Sequence, residues 1–307
     1  LKILGGEEEG KIVTVKHGDI ISLREDQRVK EGDNVVITKA ESGDIEEYEI
    51  IDKYRLPGVA LVALLFFITA IAFGRKQGLM SIIGLAITVI VLIWYIIPSI
   101  VNGGNPFVVS LIGAGVIAAT SIYMSHGFKK RTTIAFLSTI ITLVISAILS
   151  IIFVDLTRLS GAGTEESFFL QFGTLDFINL KGLLLGGIII GALGVLDDIT
   201  TAQSTAVEEI AKANPKLGIK ELYKRGTSIG KEHIASLVNT LVLAYAGASF
   251  PLLILFSVEG IEPFWVTLNH EYMVEEIVRT LVGSTALIFA VPITTYLAAR
   301  TFSKQRA

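Results

Sequence analysis

Two adjacent carboxylates, Asp197 and Asp198, close an uncharged run that starts after Lys181. Residues Gly182–Leu196 span about 22 Å as a helix at 1.5 Å per residue, against a hydrocarbon core of about 30 Å. Counted from Lys181, a membrane-crossing helix reaches its inner edge near residue 201, which puts both acids roughly one turn inside that edge. A carboxylate so placed is costly and tends to face a wet cavity, a cation or a proton path. Adjacent acids at the cytoplasmic end of a span are also often only interfacial. Continued as a helix, the chain sets Asp197, Thr201, Ser204 and Glu208 on one face, with Asp198, Thr205 and Glu209 beside it. Glu208 and Glu209, followed by Lys212, read as a solvated end stopped at Asn214-Pro215.

The next apolar segment approaches the same leaflet from the other direction, through Gly226-Thr-Ser-Ile-Gly-Lys-Glu-His233. Asn239 and Thr240 lie roughly 8–9 Å along it and Tyr245 about 18 Å. The expected site is therefore a polar cavity open to the cytoplasm, lined by Asp197, Asp198, Gln203, Asn239 and Tyr245, with Thr201 and Thr240 as further substrate- or ion-binding groups. Gly226, Gly230, Lys231 and His233 form its expected access segment, whose backbone N–H groups suit an anion. Pro251, after Tyr245-Ala-Gly-Ala-Ser-Phe250, is the expected hinge. Gly186, Gly187, Gly191 and Gly194 read as a helix-packing face rather than a substrate path.

The elements that must position these groups follow from the charge gaps. The chain has 307 residues, 51% hydrophobic and 18% charged, below the roughly 25% charged of soluble domains. Its first 55 residues hold 9 of the 26 Lys and Arg. Apolar stretches near 57–73, 79–100, 106–125, 132–154, 181–201, 234–257 and 280–299 read as seven transmembrane helices. The expected fold is a membrane all-α helical bundle carrying a small N-terminal β-barrel or β-sandwich over residues 1–55. Strands are expected at Lys11–Val15, Val35–Thr38 and Tyr48–Ile51, divided by turns at His17-Gly-Asp19, Glu31–Asn34 and Ser42-Gly-Asp44. Alternate loops carry fourteen Lys and Arg against two, which orients the C-terminus to the cytoplasm and the head outside it. A translocated head needs a hydrophobic segment upstream of Leu1, either cleaved or kept as an anchor that would make an eighth span. Phe168, Phe169, Phe172 and Phe177, in an outer loop, suggest an interfacial or re-entrant segment.

Composition narrows the function. A net charge of −3 argues against a nucleic-acid partner, and the absence of Cys removes disulfides, thiolates and Cys-metal sites. No Gly-x-x-x-x-Gly-Lys-Ser/Thr pattern occurs, and His270-Glu271 lacks the second His of a zincin. An aspartyl-protease dyad needs carboxylates facing one another from different spans, whereas Asp197 and Asp198 point about 100° apart on one helix. No enzyme and no cofactor are expected, and the metal question stays open. The expected partners are the lipid bilayer and an unidentified small molecule or ion, with homo-oligomerisation a further expectation. The leading functional expectation is a secondary transporter or permease. The alternatives are a membrane scaffold or partner-binding subunit and, behind it, an intramembrane hydrolase.

Three linked motifs, Gly194-Val-Leu-Asp-Asp-Ile-Thr-Thr-Ala-Gln203, Gly226-Thr-Ser-Ile-Gly-Lys-Glu-His233 and Asn239-Thr-Leu-Val-Leu-Ala-Tyr-Ala-Gly247, resemble the YibE/F family of bacterial multi-pass membrane proteins. Pro98, Gly103-Gly-Asn-Pro106 and a β-rich head ahead of Arg55-Leu-Pro57 fit the same pattern. Lys231 stands where Arg is more usual, and the charge is kept. The resemblance implies an integral protein of the bacterial cell membrane with one further N-terminal span, and transport of an unassigned substrate.

Overall fold

The computed structural model describes residues 1–15, 28–42, 45–257 and 263–303. The turn at His17-Gly-Asp19, residues Gly43 and Asp44 of the second turn, and the tail cations Lys304 and Arg306 lie outside the described residues. The chain divides into two compact units, Leu1–Phe73 and Gly74–Ala307.

In the first unit, β1 (Val35–Ser42) and β2 (Ile45–Lys53) pair antiparallel, with an irregularity between Val36 and Ile37. The strand expected at Lys11–Val15 is reduced to one bridge between Ile12 and Lys2. Among the described residues the head is thus a hairpin with an N-terminal loop, and the expected barrel or sandwich is not seen. Alternation marks a strand but carries no information on how many partners it finds. Polar contacts tie the loop to the hairpin. The Tyr48 hydroxyl donates to Glu8 Oε2 at 2.5 Å, and Lys39 Nζ donates to Glu8 Oε1 at 3.0 Å. Together they hold the Glu8 carboxyl below its usual range.

Helix α1 (Leu56–Val91) belongs to both units, and its helical dihedrals are interrupted at Arg75 (φ 47°, ψ −128°), between the first two expected spans. A π-helical turn, Leu92–Ile96, then leads to α2 (Ile97–Val101). Pro98 has no N–H to offer the Trp94 carbonyl and its ring crowds it, and the wider π winding accommodates that loss. Next come α3 (Pro106–His126), α4 (Lys130–Leu156), α5 (Glu165–Phe172) and α6 (Leu180–Ala213). They are followed by α7 (Ile219–Ala248), α8 (Phe250–Ser257), α9 (Phe264–Asn269) and α10 (Glu271–Phe302). Side-chain caps start several of these helices. Asn105 accepts from Val108 N, with Pro106 in the first turn, and Asn179 accepts from Gly182 N at 2.8 Å.

Five stretches among the described residues are long and apolar enough to cross a membrane: Leu56–Val101, Pro106–His126, Lys130–Leu156, Leu180–Ala213 and Glu271–Phe302. This is the build of a membrane protein. The first stretch, 46 residues, covers two of the expected spans in one helical run. The span expected at 234–257 is divided at Ser249 between α7 and α8, and the first half of α7 is charged, so neither piece qualifies alone. Pro251 causes the division: it cannot continue α7, and it sits in the first turn of α8.

In the second unit α6 is the central helix. α10, α4, α3 and α7 all pack on it, whereas α3 and α7 make no substantial contact with each other. Leu196 and Ile199 of α6 meet Ala118 and Ile122 of α3, Leu143 of α4, Leu287 and Val291 of α10 and Leu241 of α7 in one cluster. Small residues allow the helices this close. A Cβ on Gly186 would fall 2.4 Å from Ser110 Oγ on α3. The outward faces are large and apolar on α3 (Val108, Ile112, Val116), on α4 (Leu137, Ile141, Val144) and on α10 (Ile277, Leu281, Phe289).

Candidate functional site

Because α3 and α7 stay apart, one side of α6 is uncovered. None of the exposed large hydrophobic residues comes from α6. What the uncovered side carries instead is Gly187, Gly191, Gly194 and Asp198, spaced four, three and four residues apart and so on one helical face. A Cβ at Gly194 would meet nothing within 4 Å. One at Gly191 would fall 2.9 Å from the Tyr245 hydroxyl oxygen, and one at Gly187 would lie 4.0 Å from an Arg279 guanidinium nitrogen. The expected glycine packing face is therefore split: Gly186 packs on α3, Gly187 and Gly191 lie half-buried beside Arg279 and Tyr245, and Gly194 is open. A lipid-facing side of a span is normally as apolar as the tails it meets, so a strip of glycines ending in a carboxylate is unlike the outward faces of α3, α4 and α10.

Asp198 is exposed at the C-terminal end of the strip, within electrostatic reach of His126 at the end of α3. Asp197, one position on, turns toward α3 and is half-buried, and Ser121 Oγ donates to its Oδ2 at 2.8 Å. The ion pairs of α6 sit near its two ends, Lys181–Asp155 at one and Arg131–Glu208, Lys212–Glu208 and Lys212–Glu209 at the other. Among the described residues, none involves Asp197 or Asp198. Both acids therefore stand without a cation in a helix of membrane-crossing length.

The remaining expected site residues are dispersed. Thr201 bends back on its own helix, donating to the Asp197 carbonyl at 2.8 Å. Gln203 is fully buried, and its Nε2 donates to the Gly226 carbonyl at 2.8 Å and to Thr295 Oγ1 at 2.7 Å, which rivets α6 to α7 and α10 rather than lining a cavity. Gly226 and Gly230 are buried inside α7, so their N–H groups serve the helix and are not free for an anion. Their function is close approach: a Cβ on Gly230 would fall 2.3 Å from Val291 Cγ1. Lys231 is exposed, and His233 is half-buried with its Nδ1 unpartnered among the described residues.

Asn239 and Thr240 miss the expected cavity because of the phase of α7. Ile234, Leu237, Val238, Leu241 and Tyr245 form its core-facing stripe, and the two polar residues fall between its turns, on the exposed side. Thr240 Oγ1 donates to Ser236 O, and no bond joins Asn239 to either acid. Of the α7 candidates, Tyr245 alone reaches the strip. A shallow cleft of about 440 Å³ opens elsewhere, between Ile210, Leu217 and Ile229, and no expected site residue lines it. Among the described residues no three His, Asp or Glu side chains gather as metal ligands would.

Three groups at the site carried no sequence signal strong enough to name them. Ser121 and His126 are ordinary residues of an apolar span, and Arg279 reads as the charge that merely ends one. Only the depth at which Arg279 meets α6 distinguishes it.

Comparison with known proteins adds one finding. A sequence model of the family described as YibE/F-like protein matches residues 62–304, which takes in all three linked motifs. No curated protein and no solved structure matches the chain.

Proposed function

The chain belongs to the YibE/F family, and from that premise we propose that it is a membrane transporter or permease that passes a small molecule or ion along the uncovered side of α6. One observation carries this reading: among the described residues α6 shows no exposed large apolar side chain, and its outward strip is glycines ending at Asp198. Asp198 meets the strip directly, and Asp197 is held beside it by one serine hydroxyl. With no cation paired to them among the described residues, these carboxylates suit a proton or metal cation as the coupling species. In this reading the chain has no catalytic step and needs no cofactor. It crosses the bacterial cell membrane seven times, with the break at Arg75 dividing the first two spans and α7 with α8 supplying the sixth. The head is outside and the C-terminus inside, as the Lys and Arg distribution favours.

The exposed carboxamide of Asn239 favours a second reading, a scaffold or partner-binding subunit, because a polar group on a span's outer face is satisfied by a neighbouring helix. Reconstitution separates the two. In proteoliposomes with an imposed proton or sodium gradient, the wild-type chain is expected to give gradient-driven ion flux, and Asp198→Asn to bring it to the level of empty vesicles. A wild-type chain that passes neither ion but co-purifies stoichiometrically with a partner supports the second reading. Unchanged flux in both Asp197→Asn and Asp198→Asn removes the acids from the mechanism.

A further inference from the structure

The strip has a second ionisable group, which the carboxylate mechanism leaves unused. Arg279 of α10 reaches α6 at Gly187, and Tyr245 of α7 reaches it at Gly191, one turn further on. The guanidinium and the phenol thus come to the strip about 6 Å apart along the helix axis. Gly187 lies six residues beyond Lys181, about 9 Å deeper. A charged side chain at that depth is retained for what it binds.

Both groups have donors to spare. Among the described residues the ion pair of Arg279 is a long one, 3.5 Å to Glu276 on its own helix, with each side chain 26% exposed. Its Nε–H is closed off from solvent without an acceptor. Tyr245 makes no side-chain hydrogen bond among the described residues, and its hydroxyl stands over Gly191. A guanidinium offers five N–H donors in a planar fork, a geometry that matches carboxylate and phosphate oxygens. The missing side chain at Gly191 admits the Tyr245 hydroxyl, and the missing side chain at Gly187 leaves the space in front of the Arg279 fork unfilled.

We propose that Arg279 and Tyr245 form an oxyanion-binding station on the strip, taking the carboxylate or phosphate group of the transported molecule. The proposal deepens the transport reading and rests on it for the word transported. The binding chemistry stands alone. A cargo held by Arg279 at one end of the strip and a proton or cation taken at Asp198 toward the other would cross with little net charge, which lowers the cost of leaving water.

The test uses the full chain in detergent micelles, with the thermal unfolding midpoint followed in sodium acetate, sodium phosphate and sodium chloride at matched ionic strength. Ligand that binds only the folded state raises the midpoint. Acetate or phosphate is expected to raise it by several degrees over chloride, and whichever does so names the source of the oxyanion. Tyr245→Phe and Arg279→Gln are expected to lose that rise, Gly187→Val to lose it by filling the space, and Val144→Ala, on the outer face of α4, to keep it. No rise over chloride with either oxyanion, or an undiminished rise in both Tyr245→Phe and Gly187→Val, overturns the station. Flux that depends on Asp198 without oxyanion binding leaves the transport reading standing and removes this one. Oxyanion binding without flux does the reverse.

Discussion

A single hydroxyl stands where a buried carboxylate ordinarily finds a cation: Ser121 is the side-chain partner of Asp197. Removing the donor leaves a half-buried acceptor unsatisfied, at a cost of about 1–3 kcal/mol. Ser121→Ala is therefore expected to lower the unfolding midpoint in micelles and Ser121→Thr to restore most of it. Asp198→Asn, at an exposed position, is expected to change stability by no more than about 0.5 kcal/mol. Equal midpoints for Ser121→Ala and wild type would show that water or lipid replaces the serine. In the head, Glu8 titrates below its ordinary range because Tyr48 and Lys39 bond its charged form. A depressed carboxylate stabilises the fold above its unfolded-state value and loses that contribution as the pH falls through its folded value. The loop's attachment is thus full at neutral pH and weakens in acid. A carboxyl carbon NMR titration of Glu8 is expected to show a midpoint below that of a free glutamate, moving back up in Tyr48→Phe.

Among the helices, identical residues have opposite meanings according to what they face. Gly230 and Gly194 are both helical glycines, yet a Cβ on the first would fall 2.3 Å from Val291 Cγ1 and one on the second meets nothing. Gly230→Ala is expected to destabilise by about 1–3 kcal/mol through overpacking. Gly194→Ala is expected to be neutral or to gain up to about 1 kcal/mol from helix propensity. Chemical denaturation of both variants checks the pair. A penalty at Gly194 as large as at Gly230 would mean that another helix covers the strip in the assembled protein. The same contrast explains which expectations were legible. Apolar runs and Asn or Pro helix starts can be read locally, so α3, α4 and α6 begin where their charge gaps put them, whereas α10 contains its gap but starts earlier, at Glu271. The phase of α7 cannot, because Asn239 and Thr240 sit at the right depth and on the wrong side, and depth alone was available from counting.

For the whole molecule the strongest expectation concerns access. The chain has no cysteine, so single-cysteine variants report without background. A membrane-impermeant thiol reagent is expected to label Gly194→Cys on the strip and to spare Val144→Cys on the apolar outer face of α4. Labelling at both positions, or at neither, counts against a wet strip. Thr38→Cys in the head and Ser228→Cys at the start of α7 are expected to react from opposite sides of the membrane, and same-side labelling would reverse the orientation argument. That the chain is a membrane protein with a polar head was decided by composition alone, because a charged residue in hydrocarbon costs so much that the gaps between charges map the spans. The neighbouring carboxylates and the linked glycine motifs are likewise legible in the sequence itself. Which side of α6 remains uncovered was decided only by tertiary packing. It depends on α3 and α7 both docking to α6 without substantial contact with each other, and that is a relation among three helices that no single helix's periodicity encodes.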